Sequence, residues 1–221
     1  MTGYAFTFAT ANLIARASGA LFWPDQNLLI CSDLHFGKSN RLARRGGALL
    51  PPYETRATLA RLDADLGSTG ATSVICLGDS FDDLAAADAL DKTDRTLLVG
   101  LMAGRNWVWL EGNHDPGPVT GIAGQHCAEL TVQPLTFRHI GGGNGFEVSG
   151  HYHPKARLSG RSRRCFLIDA NRVILPAYGE YTGGLWCDDP ALTGLMGPRA
   201  IAVLTGTRAL AIPMHQTPAK R

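Results

Sequence analysis

Three short apolar runs in this chain each stop abruptly at polar residues. Leu28–Cys31 precedes Ser32-Asp33-Leu34-His35, Ser73–Leu77 precedes Gly78-Asp79-Ser80-Phe81-Asp82-Asp83, and Asn106–Leu110 precedes Glu111-Gly112-Asn113-His114-Asp115. Runs of four or five residues closed by glycine and polar side chains predict buried strands that end at a sheet edge. Upstream, Leu13–Ala17 and Ala20–Trp23, with turn signals at Ser18-Gly19 and Pro24-Asp25, predict hairpin strands. Between the runs the pattern turns helical: Tyr53–Leu66 carries Leu59 and Leu62 among helix formers, and Ala85–Leu101 reads as helix interrupted by the charge-dense Asp91–Arg95. Alternating strand and helix predicts an α/β architecture with its active groups at the carboxyl ends of strands.

After Pro116 the texture changes. Glu129–Val132, Leu135–His139, Phe146–Ser149, Cys165–Asp169, Val173–Ala177 and Ala200–Thr205 are short apolar runs spaced by turns, with little helical pattern. They predict a second, largely antiparallel sheet packed on the first. No repeat or low-complexity linker divides the chain, so residues 1–221 are expected to form one domain, with Pro213–Arg221 as a frayed tail.

Composition adds boundaries to this picture. In 221 residues, 45% are hydrophobic and 18% charged, enough apolar surface for a sizeable core and too little charge for a disordered chain. The net charge of +2 is too near neutral to argue a nucleic-acid partner by itself. The five cysteines are widely spaced without a CxxC, and Cys31 and Cys76 sit inside apolar runs, so they are expected to be buried and reduced. No basic-then-apolar signal pattern opens the chain and no apolar run approaches the ~20 residues of a membrane span, so a cytoplasmic location is expected.

The candidate chemistry lies at the strand ends. Asp33-x-His35, Gly78-Asp79-x-x-Asp82, Gly112-Asn113-His114-Asp115 and Gly150-His151-x-His153-Pro154 are four such segments, and His139 closes a further run. Residues two apart on a strand share a side, so Asp33 and His35, and likewise His151 and His153, are expected to project together. Glycines before Asp79, Asn113 and His151 permit sharp turns and close backbone approach. A lone His or a Gly-Asp pair is ordinarily a plain structural feature, but five such ends in one chain form a constellation of oxygen and nitrogen donors without thiolate. That donor set favours Mn²⁺, Fe or Zn²⁺. The stretch from Lys38 to Gly47, holding Lys38, Arg41, Arg44 and Arg45, reads by itself as a solvated basic turn.

These motifs resemble those of the calcineurin-like metallophosphoesterase superfamily: D-x-H, G-D-x-x-D, G-N-H-D/E, a lone H, and G-H-x-H. The stretches DLHFGKSNRLARRG, GHYHPKARL and RRCFLIDANRVILPAYGEYTGGL further resemble the bacterial ligase-associated DNA damage response endonucleases, the PdeM family. The resemblance runs from about Ala11 to Pro213. It implies two packed mixed β-sheets flanked by helices, with two divalent metal ions at strand carboxyl ends. It implies that Asp33, His35, Asp79 and His153 hold one metal, that Asp79, Asn113, His139 and His151 hold the other, and that Asp79 bridges them. One departure stands out: Ile140 and three glycines follow His139 where the family has an acidic residue and a proline, which leaves His126 as an alternative lone ligand. His114, beside the metals without being a ligand in the family pattern, is assigned to the leaving oxygen, with Asp82 holding its imidazole.

Charge then explains the substrate class. Two carboxylates against two divalent cations leave about two uncompensated positive charges, which favour a phosphodiester and favour its more negative transition state further. The resemblance implies a Mn²⁺-dependent nuclease acting on single-stranded or structured DNA, with Lys38, Arg41, Arg44 and Arg45 along the strand, in a repair system that includes a ligase and a helicase. A phosphodiesterase or phosphatase of small phosphoesters, and a non-catalytic scaffold, are the alternatives; the filled ligand positions speak against the scaffold.

Overall fold

A computed structural model of the chain describes residues 3–47 and 49–214. The first sheet runs in sequence order: β1 (Tyr4–Phe8), β2 (Ala11–Ala15), β3 (Leu21–Trp23), β4 (Leu28–Cys31), β5 (Ser73–Cys76), β6 (Asn106–Leu110) and β7 (Gln125–Cys127). β1 to β4 pair antiparallel, whereas β4 to β7 pair parallel. The crossovers carry α1 (Lys38–Arg44), α2 (Glu54–Thr69), α3 (Leu84–Asp88) and α4 (Lys92–Met102).

The second sheet is built from β8 (Glu129–Val132), β9 (Leu135–Arg138), β10 (Glu147–Ser149), β12 (Arg161–Ile168), β13 (Arg172–Ile174), β14 (Ile201–Leu204) and β15 (Leu210–Pro213), with β11 (Lys155–Leu158) paired to β12 alone. It is largely antiparallel, as expected, and is mixed only because β10 pairs parallel with both β9 and β13. That parallel placement brings the ends of β9 and β10 to one edge. The short helix α5 (Pro190–Thr193) lies outside this sheet.

The central strands read as continuous apolar runs because both of their faces are covered. Leu28, Ile30, Ile75 and Leu77 pack on Leu135, Phe137, Val148, Phe166 and Val173 of the second sheet. Leu29, Cys31, Val74 and Cys76 turn the other way, onto Leu59, Leu62 and Leu66 of α2 and Leu98 and Met102 of α4. The five cysteines are all free, and burial pushes the Cys31 and Cys76 thiols well up.

Several expectations need correction. The Lys38–Gly47 stretch is helix over most of its length, not a turn. The break in the 85–101 helix falls at Ala89–Asp91, where Asp91 caps α4 by accepting from the Thr93 N–H; the charged residues after it lie inside the helix, where buried Asp94 is paired with Arg56 and Arg95 donates to the Ala87 carbonyl. β7 and β11 carry too little apolar pattern to have been anticipated, and β15, though apolar, is short and ends in proline. Pro213 closes β15 opposite Ile201 and Met214 is buried, so the tail does not begin there; residues 215–221 lie outside the described ones.

Candidate metal centre

The loops after β4, β5, β6, β9 and β10 meet at one edge where the two sheets abut. Main-chain bonds lash them together: the Asp33 N–H donates to the Gly78 carbonyl (3.2 Å), the His35 N–H to Asp79 (3.0 Å), and the Gly150 N–H to His139 (3.0 Å). Asp33 and His35 are not on a strand, since β4 ends at Cys31. Both stand in the left-handed region, with φ of 54° and 47°, and so do Asp79 (48°), His151 (70°) and His153 (47°). Strand alternation therefore does not explain why they project together. Five non-glycine residues in this sparsely populated region persist because tertiary hydrogen bonds dictate them, and such clusters mark functional sites.

Glycine is required at two of the crossings. A Cβ on Gly112 would collide with the Asp79 backbone, and one on Gly150 with the Ser32 hydroxyl. Asp115, given no role by the sequence, shapes the second loop. Its carboxylate accepts from the N–H groups of Asp79 (2.8 Å), Ser80 (2.8 Å) and Phe81 (3.1 Å), a nest that holds the Asp79 turn. The only sequence signal was its place directly after Asn113-His114.

The side chains form two adjoining sets. In one, Asp33 Oδ1 lies 3.1 Å from His153 Nε2, and His153 Nε2 lies 3.5 Å from His35 Nε2. In the other, His139 Nε2 lies 3.0 Å from Asn113 Oδ1, 3.2 Å from His151 Nδ1 and 3.5 Å from Asp79 Oδ2. Asp33, Asp79, His35 and His139 are buried, His151, His153 and His114 half-buried, and Asn113 exposed, so the centre opens to solvent over buried carboxylates. His126, the alternative lone ligand, stacks on Trp109 away from both sets, while His139 stands among the ligand atoms just past β9.

The donor chemistry fits two cations. His139 Nδ1 faces the Leu77 carbonyl at 2.7 Å and so bears the proton, leaving Nε2 as a lone pair aimed at two oxygens and another imidazole. Acceptors converging on acceptors need a positive charge among them. Without metal a proton serves: burial would lower the His139 pKa, but its bond to Asp79 and the charges of Asp33 and Asp79 push it up to about 8. Burial would raise the Asp33 carboxyl, yet His153, His139 and His35 hold it well below the usual range. Asp33, His35 and His153 form one group with ligand atoms within 4.8 Å of one another, Asp79, His139 and His151 form another, and His35, Asp79 and His114 form a third between them.

Asp82 and the basic helix depart from expectation. The Asp82 main-chain carbonyl, not its carboxylate, accepts from His114 Nδ1 (2.8 Å). The carboxylate is fully buried and committed elsewhere: Oδ1 lies 2.8 Å from His35 Nδ1 and 3.4 Å from Lys38 Nζ, and Oδ2 accepts from Arg41 at 2.9 Å. Arg44 pairs with Asp83 at 2.8 Å. Lys38, Arg41 and Arg44 are thus neutralised by carboxylates of the second loop, and only Arg45 stands exposed without a partner among the described residues. Parallel pairing of β4 with β5 causes this, since it sets the start of α1 beside the Asp82-Asp83 turn.

A family model described as calcineurin-like phosphoesterase matches residues 27–194, three-quarters of the chain and all of the segments above. The crystal structure of the nuclease MPE from Pseudomonas putida is similar, with 28% sequence identity, a TM-score of 0.76, and coverage of 95% of this chain and 100% of that one. The comparison with curated proteins finds no match.

Proposed function

This chain belongs to the calcineurin-like phosphoesterase family and is a metal-dependent phosphoesterase, and from that premise we propose that it is a two-metal nuclease cutting DNA. One observation carries the reading: two sets of imidazole and carboxylate donors, each with its lone pairs converging, share one open edge. Asp33, His35, Asp79 and His153 hold one divalent ion, and Asp79, Asn113, His139 and His151 hold the other. The donor set suits Mn²⁺, with Fe or Zn²⁺ as substitutes. When bound, the ions supply Lewis-acid charge for the phosphoryl oxygens and lower the pKa of water.

The chain's own groups do the rest. Asp79 is fixed for bridging, because its Oδ1 accepts the His114 N–H at 2.8 Å. Asp82 Oδ1 faces His35 Nδ1 and leaves His35 Nε2 as the ligand atom, the carboxylate–histidine pairing common behind metals. His114 Nδ1 faces a carbonyl, which only accepts, so that nitrogen keeps its proton in either charge state. Nε2 therefore gains and gives the second proton, and it stands 4.0 Å from Asp79 Oδ2, at the edge of the centre, where a leaving oxygen would be.

A nucleic-acid substrate is supported by the likeness to the Pseudomonas putida nuclease, and DNA by the resemblance to ligase-associated repair endonucleases. No described helix is long and apolar enough to cross a membrane, which accords with the cytoplasmic setting that a repair role with a ligase and a helicase requires. We take residues 1–221 as one catalytic domain. The test is direct: metal-stripped protein given Mn²⁺ and offered single-stranded DNA, duplex, hairpin and bis-p-nitrophenyl phosphate side by side. Cleavage of DNA is the expected result. Hydrolysis of the small diester without DNA cleavage would move the reading to a small-phosphoester hydrolase.

A further inference from the structure

On α1, Lys38, Arg41 and Arg44 are each paired with Asp82 or Asp83, while Arg45 just after it stands without a partner among the described residues. Directly after the ligand pair His151 and His153, the sequence HYHPKARLSGRSRRCFLI holds Lys155, Arg157, Arg161, Arg163 and Arg164 without one Asp or Glu. The structure folds it into the β11–β12 hairpin, whose register leaves Ser159-Gly160 as a two-residue loop. Both loop residues have positive φ, 50° and 77°, the signature of a tight hairpin turn.

The hairpin concentrates positive charge. Lys155 stands opposite Arg164, a like-charged pair, which is destabilising, while Arg163 and Arg161 stand opposite Ala156 and Leu158 on the other face. Among the described residues only Arg164 of the five cations nears a carboxylate, Glu180 at 3.7 Å. Lys155 and Arg157 lie instead over the Trp186 ring, 4.6 and 4.2 Å from its centroid. That packing holds the hairpin upright and leaves the cations unneutralised. Arg157 and Arg161 are exposed and Arg163 half-buried. Arg161 and Arg163 thus follow closely on the ligand pair His151 and His153 without a carboxylate among the described residues, a surface suited to an anion.

We propose that the β11–β12 hairpin is an arm that binds the phosphates of the substrate strand near the metal centre through Arg161 and Arg163, which share one face of the hairpin, Arg157 standing on the other. The inference rests on the nuclease reading and supplies its missing contact surface. A membrane surface fits less well, because the hairpin presents no exposed apolar residue to insert beside its charges.

The experiment measures binding of a fluorescein-labelled oligothymidylate across a salt series, in EDTA to prevent cleavage. With Arg161 and Arg163 both changed to alanine, affinity should fall, and the log–log salt slope should shrink by about 1.4, at ~0.7 per single-strand contact. The double lysine variant should keep the slope, Arg161→Ala alone should lose about 0.7, and bis-p-nitrophenyl phosphate hydrolysis with Mn²⁺ should stay at the wild-type rate. An unchanged slope in the alanine variant overturns the proposal and leaves the nuclease reading intact. So does loss of binding to phosphatidylserine vesicles with DNA binding retained, which would make the hairpin a membrane arm. Wild-type protein inert toward every phosphodiester would instead overturn the nuclease reading, whereas the slope would still decide whether the arm binds strands.

Discussion

Asp82→Asn tests which group Asp82 serves. The side chain is fully buried and faces His35 Nδ1 at 2.8 Å, so its task is to hold a metal ligand. Removing such a partner typically costs 10–100-fold in metal affinity, about 1.4–2.7 kcal/mol. The asparagine oxygen can still accept from Nδ1, so Asp82→Asn should fall near tenfold and Asp82→Ala near a hundredfold. Stability should fall as well, because Lys38 and Arg41 lose their shared carboxylate. Their side chains are each 19% exposed and can turn toward water, so the loss should be about 1–3 kcal/mol, below that of a fully buried pair. Titration of the metal-stripped variants with Mn²⁺ by calorimetry, followed by bis-p-nitrophenyl phosphate hydrolysis at saturating Mn²⁺, separates the possibilities. The expected result is weakened binding at one of two sites with turnover largely restored by excess metal. Wild-type Mn²⁺ affinity together with a turnover defect that excess metal does not repair would refute this role and return the carboxylate to His114.

Chelated protein should remain folded by circular dichroism yet be inactive, with Mn²⁺ restoring more activity than Mg²⁺ because imidazoles outnumber carboxylates; full activity in EDTA would exclude the metal mechanism. Asp79→Asn should be the most damaging single ligand change in a hydrolysis assay, since both donor sets meet at Asp79. His114→Ala should keep two metals by elemental analysis and lose about 10²–10⁴ in kcat, less for esters of p-nitrophenol, whose departure needs no proton; a parallel fall in metal content would make His114 a ligand. Arg41→Ala should weaken Mn²⁺ binding and barely move the salt slope for DNA, because its guanidinium is engaged by Asp82. Gly150→Ala should destabilise the fold by about 1–3 kcal/mol in thermal denaturation, as the methyl cannot fit against Ser32.

The chain by itself determined the central strands, helix α2 and the residues of the donor sets. Buried parallel strands read as unbroken apolar runs whatever lies around them, as Leu28–Cys31 and Ser73–Leu77 do, and an amphipathic helix announces itself by spacing. Asp, His and Asn directly after such runs named the donors, since a strand that stops at a sheet edge must present its next residues there. Local pattern does not encode which side chains meet. The same Asp82 could serve His114 or His35, and only the stacking of β4 beside β5 turned its carboxylate to His35, Lys38 and Arg41 and its carbonyl to His114. The basic residues after His35 looked free because a sequence shows charge but not its partner; the fold paired Lys38, Arg41 and Arg44 and left Arg161 and Arg163 without a carboxylate among the described residues. The ligand geometry was likewise tertiary. Asp33 and His35 face one centre because hydrogen bonds to the Gly78 and Asp79 carbonyls hold them at positive φ, a conformation that neither residue would adopt without a neighbouring loop to impose it.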